Sequence, residues 1–150
     1  MKKTTIIALL VLVFTGCAIK KYNTIAEFSA TIPHGDIEAL ADASWGYNHT
    51  VMADLPYEKA ALETIRTGDG DCYNKMAVVK VILDEWGWYN KYISLKRKGA
   101  AGHSLIYFEE LGGVKYGIIS NGVIYYDVDL FDFDRIKNIG GSYDKVKLKP

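Results

Sequence analysis

The hydrophobic period of this chain changes once, near Gly87, and that change limits the folds open to it. Before it, apolar residues recur at helical spacing. Behind Asp36, a residue suited to capping, Ile37, Leu40, Ala41 and Trp45 fall at i, i+3, i+4 and i+8, and Gly46 follows. Asp54-Leu55-Pro56 opens a second helical stretch that carries Leu62 and Ile65 inward until Gly68 stops it. The third begins at Cys72, which shares one face with Met76, Val79, Leu83 and Trp86. Beyond Gly87 the pattern alternates, and residues 92–96, 103–108, 116–120 and 123–128 read as strands. Gly112-Gly113 and Asn121-Gly122 supply the turns between them. Helices followed by strands predict an α+β domain with an antiparallel sheet. Residues 127–134, in which acids alternate with Val128, Leu130, Phe131 and Phe133, carry no clear period, and residues 146–148 predict an edge strand.

The first residues read as a targeting segment. Met1-Lys2-Lys3 is a short positive stretch, and the apolar run from Ile6 to Phe14 suits a signal-peptide core and is too short for a spanning helix. Phe14-Thr15-Gly16-Cys17 resembles the lipobox of bacterial lipoproteins, with Phe14 in place of the usual aliphatic residue. That resemblance implies removal of residues 1–16, lipidation of Cys17 and a protein held by acyl chains on a membrane of the cell envelope. An ordinary signal peptide cut nearby is the alternative. Residues 17–32 then read as a tether, and 33–150 as one small domain, with 11 Tyr and 3 Trp in the chain to fill a core. Without Lys2 and Lys3 the balance is 16 basic against 18 acidic residues, which is no nucleic-acid-binding surplus.

If Cys17 carries lipid, Cys72 is the one free thiol of an exported protein, where an unpaired thiol invites stray oxidation. Its predicted place at a helix N-terminus favours the thiolate, because the helix dipole puts about half a positive charge there. His103, at the start of a predicted strand behind Ala100-Ala101-Gly102, suits the partner base. A third polar group must orient that imidazole. Asn121 ends the next predicted strand, and antiparallel pairing through Gly112-Gly113 would bring it beside His103.

In this order and context the residues resemble the bacterial transglutaminase-like cysteine peptidases of the papain-like superfamily. Leu62-Glu63-Thr64-Ile65-Arg66-Thr67-Gly68-Asp69-Gly70-Asp71-Cys72 is similar to their "ETL-x-x-G-x-GDC" segment, and Gly102-His103-Ser104-Leu105 to their "GHAVL" strand. Lys80 matches a lysine common in the helix after the cysteine. The likeness covers roughly residues 54–122. It implies a papain-like core, with a catalytic Cys at a helix N-terminus packed on an antiparallel sheet. It further implies cleavage or transfer of amide bonds in a protein or peptide substrate through an acyl-enzyme on Cys72. Two departures stand out. The family's acidic pair after the cysteine is Tyr73-Asn74 here, and its "LDN" segment reads Ile119-Ser120-Asn121.

Each residue has a plainer reading. Cys72 suits a buried structural cysteine, His103 a satisfied strand histidine, and Asn121 a simple Asn-Gly hairpin turn. Asp127 is the fallback carboxylate for the triad. The serine in the aspartate position also suits a non-catalytic lipoprotein that keeps the fold as a binding module. No zinc or EF-hand spacing is present, and no cofactor is expected.

Overall fold

The computed structural model describes residues 19–52 and 54–149; the expected signal peptide and Cys17 lie outside them. Local signals place the helices. Helix α1 is Ile25–Ser29, capped by the Thr24 hydroxyl, and α2 is Ile37–Trp45, where the Asp36 carboxylate accepts the Ala39 N–H at 2.9 Å. Helix α3 (Tyr57–Thr67) begins directly after Pro56 and ends at Gly68, whose φ of +83° is the left-handed cap conformation. Helix α4 (Cys72–Glu85) starts with a capping box: Asp71 accepts the Asn74 N–H at 3.0 Å, and Asn74 accepts the Asp71 N–H at 3.4 Å.

Five strands follow: β1 (Tyr89–Arg97), β2 (Ala100–Glu109), β3 (Tyr116–Ser120), β4 (Val123–Tyr126) and, after a short α5 (Phe133–Lys137), β5 (Lys145–Lys149). They form one antiparallel sheet in the order β4-β3-β2-β1-β5. The expected α+β class and the edge position of the last strand both hold in this architecture.

Alternation along the strands divides the core in two. Tyr92, Ile106, Phe108 and Ile119 face the helices, with α4 packed across β1 and β2. Ile93, Leu95, Leu105, Tyr107 and Ile118 face the other way, where Val128, Leu130, Ile136 and Ile139 cover them. The acid-rich segment without a clear period is thus the lid of this second core. Helix α4 is buried on nearly every side, which explains its almost unbroken apolar run from Met76 to Leu83, interrupted by Lys80.

The tether expectation changes for its described part. Phe28 and Ile32, one helical turn apart, are buried in the helical core, and the Tyr22 N–H donates to the Ile65 carbonyl at 2.9 Å. Residues 22–32 belong to the domain because those two apolar side chains find cover against the helices.

Candidate active site

The turn into α4 is held from outside. Asn48 pairs with it through its own N–H to the Gly68 carbonyl at 2.9 Å and its carbonyl to the Gly70 N–H at 3.0 Å. Its side-chain amide donates to the Asp69 carboxylate at 2.9 Å. Gly70 sits so close beneath the helix that an added Cβ would lie 2.9 Å from the Asn74 Cβ and 3.0 Å from the Thr64 hydroxyl. The glycine of the Gly-Asp-Cys run is therefore a packing requirement. Directly after the cap, half-buried and unpaired, comes Cys72 as the first helical residue.

His103 opens the buried part of β2 and is 9% exposed. Its Nε2 is 2.9 Å from the Ser120 hydroxyl at the end of β3. Tyr143 stacks on the ring at 6.1 Å between centroids and 17° between planes. Gly140 approaches so closely that a Cβ there would touch the imidazole and the Ser120 hydroxyl, both at 3.5 Å. Burial lowers the imidazole pKa, so the neutral ring prevails at neutral pH. Its Nδ1 makes no hydrogen bond among the described residues.

By alternation, His103 shares the sheet face of Leu105, Tyr107 and its cross-strand partner Leu95, whereas α4 packs on the opposite face. No hydrogen bond joins the Cys72 sulfur to the His103 ring among the described residues. His103 lines a cleft of about 330 Å³. This cleft is lined by Asp54, Tyr73, Tyr92, Ser94, Gly102, His103, Ser104 and Lys149. Tyr73 follows Cys72 in α4, and its ring lies 5.6 Å from that of Tyr92. Burial raises the pKa of Tyr92; its hydrogen bond with the Ser104 hydroxyl opposes that shift, and the charge of an ionised Cys72 adds to it. Lys75 feels the same sulfur. Burial lowers its pKa and Cys72 partly restores it, while its ammonium donates to the Tyr47 carbonyl at 2.6 Å.

The sequence reading expects Asn121 beside the ring, and the structure places the preceding residue there. Asn121 lies in the β3–β4 turn with φ of +50° and makes no side-chain hydrogen bond to His103. Ser120, the last residue of β3, holds the ring instead. Asp127 is exposed, has φ of +56°, and makes no hydrogen bond to His103 either. In the resemblance drawn from the sequence, Ser120 stands where that family has the aspartate of its "LDN" segment. The Asn48 amide is engaged with Asp69, and the Tyr47 hydroxyl is buried without a partner. The Tyr92 and Ser104 hydroxyls share a hydrogen bond and both residues line the cleft. Two hydroxyls sharing one hydrogen bond leave one O–H to donate elsewhere, here at the cleft wall.

Among the described residues no group of three His, Cys, Asp or Glu side chains is placed to hold a metal ion, and no helix is long and apolar enough to cross a membrane. No family model, curated protein or solved structure matches this chain.

Proposed function

We propose that the chain is a membrane-tethered, transglutaminase-like acyl-transfer enzyme with a papain-like core, acting on amide bonds through Cys72 and His103. The observation that carries this reading is the hold of Ser120 on His103 Nε2, which leaves Nδ1 free in a residue that lines the same cleft as Tyr73, next to the thiol. In this scheme Nδ1 takes the thiol proton and the sulfur attacks the amide carbon. A C–S bond forms as the C=O electron pair moves to oxygen. The backbone N–H of Cys72 and the spare hydroxyl proton of the Tyr92–Ser104 pair receive that oxyanion. Collapse breaks the C–N bond, and the imidazolium returns its proton to the departing amine. Water or a second amine then resolves the thioester. Ser120 is the positioning residue. The thiol and ring must close the distance when substrate binds, as catalytic hydrogen bonds of unliganded enzymes often do.

A specific observation favours a second reading, in which the cleft binds without catalysis. The ring has a hydroxyl behind it where a carboxylate would stabilise the imidazolium, and alternation assigns it to the face away from α4. The pH dependence of Cys72 alkylation, in the chain and in His103→Ala, separates the two. A thiol pKa well below the reference of about 8.5 that rises in the variant supports the enzyme. A pKa at or above the reference, unchanged in the variant, leaves the binding module.

A further inference from the structure

Beyond the cleft the surface becomes one-sidedly basic. In the β1–β5 pairing, Tyr92 lies opposite Lys149, Ser94 opposite Lys147 and Lys96 opposite Lys145. Cross-strand partners project from the same face, so Lys96, Lys145, Lys147 and Lys149 stand on the side of the sheet that carries the cleft-lining Tyr92 and Ser94. Among the described residues none of the four is ion-paired with a carboxylate. Asp144, the nearest acid in sequence, accepts the Lys98 N–H at 2.7 Å. Lys149 reaches back over the Tyr92 ring at 5.4 Å and lines the cleft itself. A second depression of about 240 Å³ shares Ser94 and Gly102 with the cleft and extends it towards Lys96.

We infer that this edge docks an extended acidic peptide, with acidic residues at alternate positions, whose adjoining residue enters the cleft at Lys149. The spacing argues for it. Alternate residues of a strand stand about 6.8 Å apart, so three lysines at every second position of β5 match a strand bearing acids at every second position. β5 is the edge of the sheet and pairs with β1 on one side, so its other side offers backbone groups to an added strand. The added strand would set each acid beside a lysine on the same face. The inference deepens the functional reading by naming a substrate class, and it rests on the cleft being the substrate site.

The test is fluorescence anisotropy of a labelled (Glu-Ala)4 peptide on the full-length chain carrying Cys72→Ala, with (Gln-Ala)4 and a block peptide Glu4Ala4 as controls. Removing the thiol separates docking from catalysis: binding that persists here while the thiol measurement fails would sink the enzyme reading and leave the docking surface. The alternating peptide is expected to bind and to weaken at least tenfold between 50 and 300 mM salt. Lys145→Gln/Lys147→Gln/Lys149→Gln should weaken it about tenfold with an unchanged melting temperature. Equal binding of (Gln-Ala)4 or of the block peptide, no binding of (Glu-Ala)4, or no loss in the triple variant overturns the inference. So does salt-sensitive self-association that the peptide does not compete with, since the partner would then be a second copy of the chain. Triple-variant aggregation without any peptide binding by the parent would likewise overturn it, leaving the lysines as edge guards.

Discussion

Ser120→Ala tests the geometry of the site most directly, because one atom is removed and its partner is known. The hydroxyl is 2.9 Å from Nε2 of a histidine that is 9% exposed, so its loss leaves a buried ring nitrogen without a partner. Leaving such a group unsatisfied costs about 1–3 kcal/mol. For a chain of this length each kcal/mol lowers the melting temperature by roughly 2–4 °C, so calorimetry should record a drop on the order of 2–12 °C. The chemical consequence is larger if the ring serves Cys72. A hydrogen bond to a charged group contributes about 1.5–3 kcal/mol, which for an imidazolium deprived of its acceptor is roughly a tenfold or greater fall in the thiolate–imidazolium population. The initial rate of Cys72 alkylation by iodoacetamide at pH 7 reads that population. Asn121→Gly is the control. Glycine takes the left-handed turn conformation without strain, and Asn121 does not touch the ring, so both melting and alkylation should stay near the parent. Slowed alkylation in Asn121→Gly beside an unaffected Ser120→Ala would refute the assignment of Ser120.

Acid should weaken the fold through His103. Its folded pKa lies below the ordinary 6.5 because of burial, so below about 6.5 the unfolded chain takes up a proton that the native ring refuses. The stability from the neutral buried ring is therefore full above that pH and is lost as pH falls towards the folded pKa. Melting temperatures between pH 8 and 5 should fall more steeply for the parent than for His103→Asn, and parallel curves would contradict the buried, neutral ring. Gly122→Ala should cost more than Gly87→Ala. Both glycines have positive φ, of +76° and +72°, but an added Cβ lies 2.5 Å from the Trp45 Cβ at Gly122 and meets nothing within 4 Å at Gly87. The left-handed penalty of about 1–2 kcal/mol is common to both, so the difference in urea unfolding free energy isolates the collision, and equal losses would deny the contact.

What was legible in the sequence was what depends on near neighbours. Asp36 and Gly68 act on groups within four residues, so those helix ends follow from the residues at those points. The packing of Phe28 and Ile32 was not legible, because two apolar residues make no period and their cover comes from helices far along the chain. Strand alternation put His103, Leu105 and Tyr107 together, yet it carries no label for the face that meets α4. That choice is made by Ile106 and Phe108 packing under the helix.

The third site residue shows where sequence reasoning meets its limit. Asn121 was asked to serve two functions at once, a hairpin turn and a hold on the imidazole. The turn wins, since Asn-Gly accepts positive φ at both positions where a β-branched or bulky pair would be strained. Once Asn121 leaves the extended conformation, the last side chain still directed by the pleat is that of Ser120, on the face that carries Ile118 and His103. A shift of one residue in a strand reverses the face a side chain occupies, so the turn that removes Asn121 is also what selects a hydroxyl for the ring. If His103 works as a base, its strength is then set by a neutral acceptor at Nε2. A Ser120→Asp chain, which places a carboxylate beside Nε2, should lift the imidazole pKa and speed Cys72 alkylation at pH 7. An imidazole titration raised in proton NMR with no gain in thiol reactivity would mean that ring and sulfur do not communicate.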